Sequence, residues 1–352
     1  MGSRPGRAHR DRRSLRAWAR GFPHQHPAAY RPGVGRAIRN VPAGPAGAGP
    51  ARRGRAGDNA HGRAATAAAV RIAVEHRTQL AYSADIVESV MDARLGPRSD
   101  EHQRWIAFEL RVEPAASVRR YNDGFGNAAY LITVARPHHE VDVVMRGQIE
   151  TTLTDPFQPP RARPTALGPG DTADFLTPSP LVPSALELVT TAGPFRDQPA
   201  FDAVQSLMHL VHERFEYRPD VTNVETSVTE VLSHASGVCQ DFAHVLIGLC
   251  RAIGIPSRYV SGYIVAGADP DAPKRGADAS HAWVEAFTAT HGWRGFDPTN
   301  DLMASEHHVK MAVGRDYHDV PPTRGTFRGV AEETLAVAVT ARPVATTSSS
   351  GR

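Results

Sequence analysis

The chain has 352 residues, 41% of them hydrophobic and 22% charged, with a formal net charge of +3. That length accommodates two domains plus tails, and the ordinary composition excludes collagen-like and wholly disordered classes. No run of 18 or more apolar residues occurs, so no membrane-spanning helix is expected, and two cysteines cannot build a disulfide framework.

The charge is unevenly placed. Residues 1–66 hold fourteen Arg and two Asp with no Lys or Glu, a balance of +12, whereas residues 67–352 carry 26 basic and 35 acidic residues, a balance of −9. The basic character belongs to the N-terminal stretch, so no nucleic-acid partner is expected for the folded body. This stretch is rich in Arg, Ala, Gly and Pro, has no hydrophobic period, and is expected to be disordered. It lacks the apolar core of a signal peptide, and Arg12-Arg13 has no apolar run behind it. Two readings of it stay open. It is a basic arm for RNA or a membrane surface, or it is an artefact of a start codon assigned too far upstream, since the folded pattern begins abruptly at Val70-Arg71-Ile72.

Strand signals follow at 71–76, 104–112, 128–134 and 140–145, separated by turn-formers such as Asn122-Asp123-Gly124 and Gly126-Asn127. They predict a small β-rich domain over 70–155. Residues 156–183, rich in Pro and Gly, read as a linker with local turns. The second domain, 184–340, opens with a helix near 199–216, whose buried face is Phe201, Val204, Leu207, Met208, Val211 and Phe215. A short helix near Ser227–His234 and a longer apolar helix come next. Strand-like runs at 258–265, 281–287 and 293–297 complete an α+β pattern. The last dozen residues form a polar tail, taken as disordered over 341–352.

Both cysteines lie in GVCQDFAHVLIGLC, residues 237–250. Phe242, Val245, Leu246, Leu249, Cys250 and Ile253 have the spacing of one buried helical face, and Gly254 and Pro256 end it. If that helix forms, Cys239 and Cys250 are roughly 16 Å apart, beyond disulfide reach. Cys250 reads as a small core residue. Cys239 stands at the helix start, where unpaired N–H groups and the helix dipole favour negative charge, a setting that produces a reactive thiolate.

A thiol nucleophile needs a base and an orienting group. His281 opens HAWVEAF and Asp297 closes WRGFD, with Thr290-His291-Gly292 as the turn between them. If residue 288 pairs with 292, then 283 lies opposite 297, and 281, 283 and 297 share one face. A shift of one residue in that register would separate them. In the favourable register His281 takes the thiol proton and Asp297 fixes its tautomer. The oxyanion would be met by backbone donors, the N–H of Cys239 first. Metal chemistry competes poorly: among 17 His, the pair His209/His212, His244 and His307-His308 form no recognised ligand motif. No cofactor and no metal are expected.

These residues resemble a known family. The segment from Ser227 to Tyr263, SHAWVEAF at 280–287 and GWRGFDPTN at 292–300 are similar to the core of bacterial transglutaminase-like proteins. YNDGFGN at 121–127 is similar to the β-rich region that precedes that core in one branch, and HVKMAVGRDYHDVPPTRG at 308–325 to the segment that follows it. The resemblance spans roughly residues 70–340. It implies a papain-like α+β fold and a Cys/His/Asp triad at Cys239, His281 and Asp297. It also implies thioester chemistry on a peptide or protein substrate. Gln240, Tyr259, Tyr263 and Trp283 are candidate substrate-binding residues, with Gln240 a possible helper at the oxyanion and Asp241 a brace of the first helical turn. The triad leaves the acyl acceptor open between water and an amine. Hydrolysis is the expected outcome because no calcium-loop pattern is present. A non-catalytic peptide-binding module is the third reading. A cytoplasmic location is the default, conditional on the start site.

Overall fold

The computed structural model describes residues 69–265, 275–276 and 280–344, and the backbone of residues 37–40. The first unit is a β sandwich. Its longest strand, β2 (Val70–Ile86), buries alternate residues from Ile72 to Tyr82, the period-two pattern of a strand with one face on a core. It lies in a five-stranded sheet ordered β1–β4–β7–β2–β16, with β1 at Ala37–Asn40, β4 at Gln103–Glu113, β7 at His138–Thr151 and β16 at Glu333–Pro343. The facing sheet is β15–β3–β6–β5, with β3 at Glu88–Ala93, β5 at Ser117–Asn122, β6 at Ala128–Val134 and β15 at Thr323–Arg328. Ile72, Phe108 and Met145 from the first sheet share a core cluster with Met91, Tyr130 and Ile132 from the second.

Two boundaries expected from the sequence are corrected. Residues 323–343 belong neither to the second domain nor, at 341–343, to a disordered tail: β15 pairs with β3, and β16 runs along β2 from Tyr82 to Ile72, closing the sandwich. The stretch 1–66 is not wholly without structure, because Ala37–Asn40 pairs with Phe108–Arg111 at the sheet edge; the rest of it, and residues 345–352, lie outside the described residues. The linker carries a helix, α1 (Pro169–Leu176), whose Phe175 packs edge-on against Trp293.

The second unit is the α+β core anticipated from the sequence. Helices α2 (Leu186–Ala192), α3 (Ala200–Arg214) and α4 (Val228–His234) surround α5 (Cys239–Ala252). The sheet beneath is ordered β13–β12–β11–β10–β14, with β10 at Ser257–Ile264, β11 at His281–Thr288, β12 at Gly292–Asp297, β13 at Leu302–Met303 and β14 at His308–Gly314. A short parallel pair, β8 (Glu216–Tyr217) and β9 (Ser236–Gly237), leads into α5. Helix α5 buries every residue from Gln240 to Cys250, not one face alone. Other helices and the sheet enclose it, so its apolar stripe marks only part of what is covered.

The two units share a core. Tyr263 and Val265 from the end of β10, with Val309 and Met311 of β14, belong to the sandwich's hydrophobic cluster. Strand β14 is the edge of its sheet, and side-chain amides of the sandwich pair with its backbone as a neighbouring strand would. Gln103 donates to Lys310 O at 2.7 Å and accepts from Lys310 N at 2.8 Å. Asn127 does the same for Val313, with both bonds at 2.8 Å. The YNDGFGN motif builds this clamp: Asp123 accepts from the backbone N–H of Phe125 and Asn127 and from the Asn127 amide, fixing its orientation.

Candidate active site

The site is assembled at the start of α5 and the open end of the β11–β12 hairpin. Gly237 precedes the helix because a Cβ there would fall 2.4 Å from the Asp241 carboxylate. That carboxylate accepts from the backbone N–H of Val238 at 2.8 Å and from the Thr222 hydroxyl at 2.6 Å. Asp241 therefore braces the first turn. Burial raises its pKa to about 6 against those two bonds, and its second oxygen has no partner among the described residues. Cys239 is the first helical residue and is partly exposed, whereas Cys250 is buried, and burial pushes its thiol up to about 12. The backbone N–H groups of Cys239 and Gln240 donate to no acceptor within the helix, as the first turn of a helix requires.

The hairpin register is the favourable one: Thr288 pairs with Gly292 and Val284 with Phe296, which sets Trp283 opposite Asp297. His281 Nε2 donates to Asp297 Oδ2 at 2.8 Å, both side chains being fully buried. Burial alone would depress the His281 ring. The Asp297 charge and hydrogen bond outweigh it, the Cys239 thiol adds to them, and the imidazolium is strongly favoured. Burial likewise opposes the Asp297 charge, but His281, and after it His308, hold the carboxyl well below its ordinary range. His281 Nδ1 makes no hydrogen bond to a described residue, leaving it as the nitrogen available to the thiol. Asp297 Oδ1 accepts from the backbone N–H of Thr299 and Asn300, and Oδ2 also accepts from the Asn300 amide at 2.8 Å. Asn300 in turn holds Arg275 through both its backbone N–H and its carbonyl. Gly276, next in the chain at φ +85°, lies so close that a Cβ would be 2.5 Å from His281 Nδ1.

The four candidate substrate-binding residues lie in different surroundings. Tyr259 is buried near Cys239, whose charge, after burial, helps keep the phenol protonated. The Gln240 amide donates to Val224 O at 3.2 Å, tying the preceding loop to the helix. Tyr263 belongs to the interface with the sandwich, where its hydroxyl meets His76 Nδ1 at 2.9 Å. The reason is length: β10 continues past the helical layer, so its far end packs on the first unit. Trp283 is buried and stacked on His281 at 6.1 Å between ring centroids, backing the imidazole. Sequence reasoning missed Tyr217, beside Cys239, whose phenol burial raises to about 12. It named His308 only among histidines without a ligand motif and missed its place beside Asp297, with Nε2 3.5 Å from Oδ2. The alternation in HVKMAVG was the available signal for a strand carrying it.

His281, Asp297 and His308 bring three potential metal-ligand atoms within 4.8 Å of one another. The carboxylate oxygen between them also receives the His281 and Asn300 hydrogen bonds.

A thiol at the start of a central helix, facing a His–Asp pair on neighbouring strands of an antiparallel sheet, defines a papain-like transglutaminase fold. The family model "Transglutaminase-like superfamily" matches residues 190–298, and "Bacterial transglutaminase-like N-terminal region" matches residues 72–150. An uncharacterized protein of Mycobacterium tuberculosis strain H37Rv is 33% identical over 273 residues, covering 72% of this chain and 87% of its own. An uncharacterized protein of Mycobacterium leprae is 32% identical over 274 residues, covering 76% and 97%. A protein-glutamine gamma-glutamyltransferase of Pseudomonas aeruginosa is 29% identical over 143 residues, covering 38% of this chain and 21% of its own. The fold is similar to that of a candidate cysteine protease from Cytophaga hutchinsonii, with a TM-score of 0.64 and 24% identity over 79% of this chain and 92% of that one. The chain belongs to the bacterial transglutaminase-like family.

Proposed function

We propose that the protein is a thiol-dependent hydrolase of peptide or protein amide bonds. The observation that carries this reading is the pairing of His281 Nε2 with Asp297, which leaves Nδ1 for the partly exposed Cys239. In this mechanism His281 takes the thiol proton and the thiolate adds to the amide carbonyl. The oxyanion is met by the unpaired N–H groups at the start of α5, the type of donor that stabilises such charge. Collapse expels the amine, which takes the proton from His281 and leaves a thioester. Water, deprotonated by His281, then releases the acid and the thiol. The sequence contains no calcium-loop pattern, which supports water over a calcium-activated cross-linking reaction. The Pseudomonas relative's name supports a second reading in which an amine takes the acyl group.

The test has two stages. Iodoacetamide labelling from about pH 5 to 9, located by mass spectrometry, should modify Cys239 rapidly below neutral pH and lose that speed in His281→Ala. Slow labelling insensitive to His281 would sink the enzymatic reading in favour of a binding module. Glutamine- and other amide-containing peptides, with and without a primary amine, then separate the acceptors. Ammonia or peptide release without amine incorporation supports hydrolysis; predominant incorporation overturns it.

A further inference from the structure

We propose that His308 is a positioning residue of the triad: it is a second imidazole on Asp297 that moderates how tightly that carboxylate holds the His281 proton. The proposal rests on the catalytic reading of His281 and Asp297 and adds to it a residue from β14, outside the α5–β11–β12 set.

Three observations carry it. His308 is buried, with its Nε2 3.5 Å from Asp297 Oδ2, the same oxygen that accepts from His281. Its other nitrogen, Nδ1, accepts from the backbone N–H of Ser305 at 3.3 Å, which places the ring proton on Nε2, toward the carboxylate. The ring is held edge-on to Trp283 with centroids 5.2 Å apart, and Trp283 also stacks on His281. Trp283 is gripped in turn: a Cβ at Gly262 would lie 2.5 Å from it, and one at Gly295 3.2 Å. The two histidines therefore share one carboxylate oxygen and one indole wall.

The chemical consequence has a definite sign. A donor aimed at Oδ2 disperses its charge and weakens its pull on the His281 proton. In acyl chemistry His281 must both take the thiol proton and give a proton to the leaving amine, and an imidazolium bound too tightly gives it up slowly. Removing the donor concentrates the Asp297 charge on His281, so the imidazolium becomes more persistent. A residue that only packs would act differently, because loosening the Asp297 pair lets the His281 titration fall toward its ordinary position.

The experiment is a pH titration of the His281 ring by long-range proton–nitrogen NMR, using the whole chain. The wild type is compared with His308→Phe, His308→Met and His308→Gln, and near-UV circular dichroism reports folding. Phe and Met fill the space without a donor, and Gln returns an N–H near the Nε2 position. The expected result is a His281 midpoint raised by about half a pH unit, a roughly threefold gain in proton affinity, in either donorless variant. His308→Gln should restore most of the shift. With a turned-over substrate, kcat should fall several-fold with KM unchanged, and the alkaline limb should move up. A midpoint that stays in place or falls in the folded donorless variant, or that is the same for Met and Gln, overturns the proposal. A wild-type His281 that titrates at an ordinary value would instead remove the triad reading on which it stands.

Discussion

In the proposed mechanism the two ring nitrogens of His281 have separate tasks, and Asp297 decides which task each performs. Asp297→Asn keeps the shape but removes the charge, and the amide can turn its N–H toward Nε2, forcing the proton onto Nδ1, where the thiol needs an acceptor. Turnover should fall on the order of ten-thousandfold, the scale associated with a wrong tautomer in such triads, with the melting temperature less affected; equal activity would contradict the assigned roles. Gly276→Ala tests the approach to the same ring from the other side. Its Cβ would meet Nδ1 at 2.5 Å, at a φ of +85° that side chains disfavour. We expect slowed iodoacetamide labelling of Cys239 with little loss of global stability, measured side by side with wild type. At this scale the sequence was informative about the His281–Asp297 pairing, because the hairpin turn determines which side chains share a face. It named His308 only as a histidine without a ligand motif, because its partnership with Asp297 depends on a contact across two intervening strands.

The α5 helix start is a device built from Gly237, Val238, Cys239 and Asp241, and its pH behaviour follows from Asp241. Folding raises that carboxyl to about 6 from 3.8, so between those values the folded chain binds the proton more tightly than the unfolded one. The resulting stabilisation is present at low pH and is lost as pH rises through about 6. Asp241→Asn retains an oxygen for the Val238 and Thr222 donors and removes the charge. Relative to wild type, it should gain about 1 kcal/mol of stability between roughly pH 5 and pH 8, read from urea midpoints. A constant difference between the two proteins would show that Asp241 does not titrate as described. Glu285 has the opposite sign. Burial opposes its charge, but Lys310 and Arg258 overcome this and hold it at about 2, so its contribution is present above the ordinary carboxylate range and lost in strong acid. Periodicity located α5 and the flanking strands well, because each is amphipathic over its own length. It failed to separate Tyr259 from Tyr263, which alternation puts on one face of β10. Their surroundings differ because the helices cover only part of that strand, and an element's own pattern does not reveal how far its neighbours reach.

Over the described residues the two units are joined, and the sandwich holds the strand that carries His308. Nothing local in the sequence announces that β15 and β16 return to pair with β3 and β2 across more than two hundred residues, because such pairing is decided by which edges remain open after the rest has folded. The amide clamps on β14 are equally non-local. Asn127 lies 186 residues from Val313 and is fully buried, making two bonds to its backbone. Asn127→Leu preserves most of the volume but strands a buried N–H and a buried carbonyl on β14 and removes a partner from Asp123. Each orphaned group costs about 1–3 kcal/mol, so a loss of several kcal/mol is expected. Tyr263, Val265, Val309 and Met311 are embedded in the sandwich core, so that loss cannot be confined to one side of the boundary. Hydrogen exchange followed by mass spectrometry should therefore show peptides from β4–β7 and from α5–β10 losing protection together in Asn127→Leu, with His308 and its neighbours on β14 among the first to exchange. Protection lost in the sandwich while α5 and β10 remain closed would mean that the two units fold independently and that the clamp serves only the sandwich.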